Sequence, residues 1–151
     1  MGKDGIRLEF KVKAAGQKEI FFHLNECNNS FVPALSEKVN LEEYAKKIAE
    51  LAVTFEAWSG KVLAGLVAAY LNNQENHMGY ITSVSTLNGY KGTGIAKKLL
   101  NLCARYAREH HFTVLELEVS NDNRPAIQLY KKCGFIESGI KEGLTRMKNI
   151  L

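Results

Sequence analysis

The sequence predicts one α/β domain around a mixed, mostly antiparallel sheet, and three observations carry that reading. An alternating run from Tyr80 to Leu87 enters a loop with three glycines, and an amphipathic helix leaves the loop almost at once. Upstream, Thr54 to Trp58 and Val62 to Leu71 read as a hairpin turning at Ser59-Gly60. The 151 residues, 46% of them hydrophobic, suit a single globular domain over 1–151 with a substantial core.

The elements follow in order. Ile6 to Val12 alternates as a first strand. Residues 17–29 put Ile20, Leu24 and Cys27 on one helical face. Leu41, Tyr44, Ala45, Ile48, Leu51 and Ala52 fall at helical spacing, with Asn40 and Glu43 as a capping-box-like start. The second hairpin strand is nearly all apolar, as a central strand buried on both faces should be. After the glycine loop, the helix buries Ile95, Leu99, Cys103, Tyr106 and His110 and turns Lys97, Lys98, Asn101, Arg105 and Arg108 outward. Val114 to Val119 is a strand with Leu115, Leu117 and Val119 on one face, so Glu116 and Glu118 share the other. Pro125 opens the next helix and Gly134 stops it. Phe135 to Ser138 and Leu144 to Asn149 close the sheet.

Charge and composition exclude more than they assign. The net charge of +4 helps attract an anionic ligand but is too diffuse to argue for nucleic-acid binding. No apolar run is long enough to span a membrane and no signal-peptide pattern opens the chain, so the expected location is cytoplasmic. Three widely spaced cysteines suit free thiols better than disulfides or metal ligands, with Cys103 and Cys133 on apolar helix faces.

The segment Leu87-Asn88-Gly89-Tyr90-Lys91-Gly92-Thr93-Gly94-Ile95-Ala96 carries the first functional signal. Glycine lets backbone N–H groups approach a bulky anion, and the helix start adds free N–H donors and a positive dipole end. Gly94 is followed by Ile95 and Ala96, not by the Lys and Ser/Thr of a Walker A loop. The third glycine of a dinucleotide fingerprint is also missing, since Lys97 holds its place. Taken alone, the loop is either a phosphate cradle or an unliganded strand-to-helix turn.

A second segment, Asn123-Arg124-Pro125-Ala126-Ile127-Gln128-Leu129-Tyr130-Lys131-Lys132-Cys133-Gly134-Phe135, decides between these. With the loop, it resembles the GNAT superfamily of acetyl-coenzyme A-dependent N-acetyltransferases. Lys91-x-x-Gly94-x-Ala96 matches that family's Arg/Gln-x-x-Gly-x-Gly/Ala signature, with Lys91 keeping the charge but not the planar fork of Arg. Asn123, Ala126, Leu129, Tyr130, Gly134 and Phe135 match its Asn-x-x-Ala-x-x-Leu-Tyr-x-x-x-Gly-Phe signature. The segment Leu117-Glu118-Val119 is similar to the branch that acetylates the N-termini of ribosomal proteins. The resemblance implies the order β-α-α-β-β-β-α-β-α-β-β, acetyl-CoA as cofactor, and direct attack by a primary amine in a ternary complex.

The resemblance also implies roles. Val84, Ser85 and Thr86 would pair with the pantetheine arm, and the loop Lys91, Gly92, Thr93, Gly94, Ile95 and Ala96 would hold the pyrophosphate. A strand N–H would face the oxyanion, where fixed main-chain donors suit the developing charge. Tyr130 would protonate the departing thiolate, which a phenol of pKa about 10 can do; packing against the cofactor is its other reading. Glu118 would be the general base, or else a solvated strand carboxylate. His77, His110 and His111 are bases by type but lie outside the matched motifs. Asn123 caps the helix of Tyr130 and, in the family, bonds the pantetheine arm. Ala126 belongs to the cofactor motif, and Lys132 reaches for the outer phosphates or is simply an exposed helix lysine. Trp58 reads as packing, and Tyr70 as lining the acceptor pocket.

The acceptor amine is open among a small amine, an amino sugar and a protein amine, in a monomer or homodimer. Phe31 to Ser36 would form part of its wall, with no acidic cluster to announce a polyamine. The alternatives are a non-catalytic CoA-binding module of the same fold and a different phosphate binder.

Overall fold

A computed structural model describes residues 7–73 and 75–151. The elements run β1 (Glu9–Val12), α1 (Gln17–Glu26), α2 (Leu41–Leu51), β2 (Val53–Ser59), β3 (Val62–Tyr70), β4 (Met78–Thr86), α3 (Ile95–Glu109), β5 (Val114–Ser120), α4 (Arg124–Lys132), β6 (Ile136–Lys141) and β7 (Leu144–Ile150). That is the expected order. Ile6, read as the start of the first strand, lies outside the described residues. The seven strands form one sheet in the order β1-β2-β3-β4-β5-β7-β6. Among the described residues only β4 and β5 pair in parallel. Among the described residues no helix is long and apolar enough to cross a membrane.

Two apolar clusters hold the layers. On one face Ile20 and Leu24 of α1 and Ala45 and Ile48 of α2 pack with Leu66 and Ala68 of β3. On the other, Ile95, Leu99, Cys103 and Ala107 of α3 cover Phe55, Val67 and Ala69, and the cluster continues to Leu115, Leu117, Tyr130 and Phe135. β3 is therefore buried on both faces, as its composition predicts. Gly65 sets how closely α3 sits: a Cβ there would stand 2.4 Å from the Ile95 side chain. The first turn of α3 is thus pressed onto β3, which fixes where the glycine loop ends.

One carboxylate ties the N-terminal segment to the sheet. Glu56 is fully buried and accepts from Ala14 N and Ala15 N at 3.0 Å, Thr54 Oγ1 at 2.6 Å and Trp58 Nε1 at 2.8 Å. Four donors are what a buried carboxylate needs to stay in an apolar core. Trp58 is packing, as expected.

Several expectations shift. α1 ends at Glu26 instead of reaching residue 29, because Asn28 Oδ1 accepts from Ser36 N at 2.7 Å and redirects the chain. β4 begins at Met78, two residues early, through parallel pairing with Val114. Leu51 is exposed at the end of α2. His110, read as buried, is exposed: the stripe of α3 runs through Leu100 and Ala107, and His110 caps the helix with its ring stacked on Tyr106 at 3.9 Å. All three cysteines are free thiols: Cys27 and Cys103 are buried, and Cys133, at the C-cap of α4, is half-buried against the apolar cluster.

Candidate active site

The site begins where β4 and β5 part. Their pairing covers only Met78↔Val114, Gly79↔Leu115 and Tyr80↔Glu116. Beyond Tyr80, β4 runs on to Thr86 along β3 while β5 stays with β7 to Ser120. Two strand edges thereby face each other unpaired across a cleft of about 660 Å³. Unpaired edges present N–H and C=O groups to any extended ligand that enters. β4 also carries a bulge, since pairing passes from Ala68↔Ser83 to Ala69↔Ile81 and leaves Thr82 as the extra residue. The Tyr44 hydroxyl of α2 holds that bulge, donating to Thr82 O at 2.7 Å.

At one end the cleft opens onto the glycine loop. Gly92 and Gly94 have φ of +78° and +82°, which side chains with a Cβ rarely adopt, and nothing lies within 4 Å of where a Cβ would stand on either. Gly94 is the N-cap of α3, and the first intrahelical bond runs from Lys98 N to Gly94 O. The amides of Ile95, Ala96 and Lys97 therefore precede the helical ladder and are oriented for an anion. The loop fits a phosphate group in space, backbone conformation and donors.

Most predicted cofactor residues line this cleft: Val84, Ser85 and Thr86 from β4, Lys91, Gly92, Gly94, Ile95 and Ala96 from the loop and α3, and Asn123 and Ala126 from α4. Thr93 and Lys132 do not. Thr93 turns its hydroxyl inward to Tyr90 O at 2.6 Å and closes the loop on itself. Lys132 is exposed on the far part of α4. Lys91 reaches back to the α1–α2 connection, donating from Nζ to Ser30 Oγ at 2.9 Å. Asn123 caps α4, its Oδ1 accepting from Ala126 N at 3.3 Å.

Tyr130 is 8% exposed, lines the cleft, and burial pushes its phenol up to about 12. Its hydroxyl makes no hydrogen bond to the protein among the described residues, so nothing but the cleft claims its proton. Glu118 of β5 also lines the cleft and is exposed. It accepts from Arg146 Nη2 at 3.1 Å, its register partner on β7. Tyr80 stands beside it, and burial and then the Glu118 charge push that phenol's pKa up. His77, His110 and His111 are exposed and lie outside the cleft. Tyr70 borders a smaller neighbouring cavity that shares Tyr80 with the main cleft. Phe31, Val32, Pro33 and Leu35 wall the main cleft on the α1–α2 side, as expected for that segment.

Sequence reading missed two polar groups. Tyr44 sits in the apolar stripe of α2, and only its contact with the β4 bulge sets it apart from core. His23 is 1% exposed inside the apolar face of α1, with Nε2 2.8 Å from Ser85 Oγ. A polar residue in the middle of the Ile20–Leu24–Cys27 stripe was the one signal for it. Among the described residues no group of His, Cys, Asp and Glu could hold a metal.

Comparison with known proteins agrees with this geometry. The sequence profile of the acetyltransferase (GNAT) family matches residues 18–135. Streptothricin acetyltransferase of Streptomyces lavendulae is 38% identical over 64 residues, 42% of this chain and 34% of that protein. N-alpha-acetyltransferase 30 of Saccharomyces cerevisiae is 36% identical over 58 residues, 38% of this chain and 33% of that protein. The chain thus matches less than half the length of these curated relatives. PaiA N-acetyltransferase from Thermoplasma acidophilum, solved in complex with coenzyme A, shares the fold with a TM-score of 0.75 at 12% identity, covering 95% of this chain and 99% of that one. Ribosomal-protein-alanine N-acetyltransferase from Brucella melitensis does so with a TM-score of 0.71 at 22% identity, covering 93% and 99%. The matched span holds the parted strands, the glycine loop and Tyr130 together, and the chain belongs to the acetyltransferase (GNAT) family.

Proposed function

We propose that this chain is an acetyl-CoA-dependent N-acetyltransferase that moves the acetyl group directly to a primary amine while both substrates are bound. The observation that carries this is the juxtaposition in one cleft of a phosphate-shaped glycine loop, an unpaired strand edge and a buried phenol. The loop and the start of α3 take the pyrophosphate through backbone amides, and the free edge of β4 takes the pantetheine arm. Acetyl-CoA brings an activated thioester, so the protein has only to place it, draw protons from the amine and return one to sulfur.

Tyr130 supplies that last proton. Held near pKa 12, its phenol remains protonated across the physiological range and is available as an acid. Glu118, at the cleft mouth, draws in the ammonium and takes its first proton, with Arg146 fixing the carboxylate. The N-alpha-acetyltransferase relatives and the ribosomal-protein-alanine neighbour support a protein N-terminus as one acceptor class, and the streptothricin enzymes support a small amine as another. The neutral, aromatic-lined wall of Phe31, Tyr44 and Tyr80 suits the first.

A thermal-shift screen with CoA, ATP and NAD tests the cofactor, and thiol release from acetyl-CoA against peptides and small amines tests the reaction. CoA at 100 times its dissociation constant adds about 2.7 kcal/mol, a rise in Tm of roughly 5–10 °C. Gly94→Glu puts a side chain and a negative charge into the cradle and abolishes that rise. Stabilisation by ATP or NAD without CoA would refute the reading.

A further inference from the structure

A serine–histidine pair lies behind the cleft wall. Ser85 of β4 lines the cleft, and its Oγ is 2.8 Å from His23 Nε2. His23 Nδ1 is in turn 2.8 Å from the backbone oxygen of Leu63. A carbonyl only accepts, so Nδ1 carries the hydrogen, Nε2 is bare when the ring is neutral, and Ser85 O–H donates to it. The arrangement is a hydroxyl backed by a base whose tautomer is set by a third group.

Its position is on the side from which an amine would come. Ser85 is opposite Leu66 in the β3–β4 register, and Leu66 belongs to the cluster under α1 and α2. Ser83, two residues back, points to the same face and is 4% exposed; among the described residues its Oγ has no hydrogen bond of good geometry, and the Tyr44 phenol is the protein group it acts on. Such a buried orphan needs a partner brought by a substrate or water. The two hydroxyls thus form a polar row in an otherwise apolar wall.

Proton counting gives that row a task, granted the acetyl-transfer reading above. An ammonium has three N–H bonds and the amide product one, so two protons leave nitrogen while one reaches sulfur. Glu118 at the rim accounts for the first. We propose that Ser85, backed by His23, receives the second: once the nitrogen has bonded to the carbonyl carbon, its remaining excess proton passes to Ser85 Oγ as the Ser85 hydroxyl proton passes to His23 Nε2. The carbon–sulfur bond breaks and sulfur takes the proton of Tyr130. After product leaves, His23 returns its proton through Ser85 to water, Glu118 releases the first, and Tyr130 is reprotonated, for a net release of one proton. Ser85 meets the substrate; His23 is a positioning and proton-holding residue behind it.

The charged surroundings suit this task. At the C-cap of α1, Cys27 Sγ lies 3.7 Å from Nε2, and burial pushes that thiol up to about 11, so it stays neutral. Lys91 of the loop, the Ser85 hydroxyl and Glu26 of α1 act on Cys27, so the Ser85 hydroxyl faces the thiol as well as the ring. β3 presents the Leu63 carbonyl to the ring, and β4 presents the Ser85 hydroxyl together with the Ser85 backbone oxygen; the two backbone groups favour the charged ring, and burial outweighs them. Burial lowers the pKa of His23, so the ring is neutral before each turnover at pH 7.

Two measurements test the relay. Nitrogen-15 NMR of histidine-labelled protein, assigned through His23→Gln, is expected to report Nδ1–H with a bare Nε2 at pH 7.5. A protonated Nε2 at that pH would overturn the proposal whatever the acceptor. The second is the pH profile of kcat, using a free-amine tetrapeptide amide or the faster small amine from the panel above. Ser85→Ala is expected to lower kcat by about 10²-fold with the KM for acetyl-CoA changed less than roughly threefold, and the loss persists at pH 9, where neutral amine is abundant. Ser85→Thr, keeping the hydroxyl in a strand that tolerates it, recovers most of the rate. A Ser85→Ala profile that overlays wild type would sink the relay alone. Absence of turnover in wild type with every acceptor would sink the acetyl-transfer reading, and the relay with it.

Discussion

Replacing Tyr130 by Phe removes one oxygen from a side chain whose ring is otherwise fixed. The ring is 8% exposed and packs at 6.0 Å, centroid to centroid, against Phe135. Its hydroxyl forms no hydrogen bond to the protein among the described residues, so truncation orphans no partner. The usual cost of breaking a buried hydrogen bond, about 1–3 kcal/mol, is therefore not incurred. A change within about 0.5 kcal/mol moves Tm by roughly 1–2 °C in a chain of this size. Activity is a different matter. If the phenol is the proton source for sulfur, its loss costs about 10²-fold in kcat, which is about 2.7 kcal/mol of barrier. Stability and catalysis should separate by more than 2 kcal/mol in a single substitution. Thermal unfolding with and without CoA gives the first quantity, and thiol release at saturating substrates gives the second. The pH profile adds a check with a definite sign. The phenol loses its proton only near pH 12, so wild type should show no loss of turnover from this group between pH 8 and 10. Full activity in Tyr130→Phe would remove the acid role, and a fall in Tm of 5 °C or more would show that the hydroxyl is structural.

Two further outcomes follow. Glu118→Gln should depress turnover most at lower pH, where an α-amine of pKa about 8 is chiefly protonated, and recover as pH rises; a pH–rate profile overlaying wild type would return Glu118 to the surface. His23 is lowered from 6.5 in the folded state, so the unfolded chain binds more protons at mildly acid pH. Its stabilising contribution is complete above pH 6.5 and is lost as pH falls below it, by at most about 1.4 kcal/mol per pH unit. Chemical denaturation between pH 6.5 and 5 should give a shallower slope in His23→Gln than in wild type, and equal slopes would contradict the assignment.

What could be read in advance was what is encoded locally. The alternation Leu115-Glu116-Leu117-Glu118-Val119 fixes which face each residue takes, and the structure buries all three apolar ones. Asn123 and Pro125 mark a helix start by their own chemistry, and the glycines by the φ they must adopt. The pattern says less where a specific contact decides where a side chain goes. His110 continues the helical period of Tyr106, yet α3 ends at Glu109 and leaves His110 as an exposed C-cap. Thr93 and Lys132 stand within motifs, but a hydroxyl satisfied at Tyr90 and a solvated helix face take them out of the cleft. The His23–Ser85 and Tyr44–Thr82 contacts span 62 and 38 residues, and neither pattern nor composition of one segment announces the other.

β4 explains how one strand can serve two substrates. Its partners beyond the bulge alternate between the two cores: Val84 and Thr86 lie opposite Val67 and Gly65 toward α3, while Ser83 and Ser85 lie opposite Ala68 and Leu66 toward α1 and α2. The side chains of successive residues are thus divided between the two faces, and the strand's outer edge is left to a third occupant. That edge stays open because β4 follows β3 through its bulge at Thr82 while β5 follows β7, so the two strands part after Tyr80↔Glu116. β5 pairs with β7 at every position from Val114↔Ile150 to Ser120↔Leu144, but with β4 at only three. The divergence of β4 and β5 therefore leaves a near-side edge free for an extended ligand. Phosphate loop, open edge and hydroxyl row meet along one strand, so cofactor and amine can approach the same atoms from different directions.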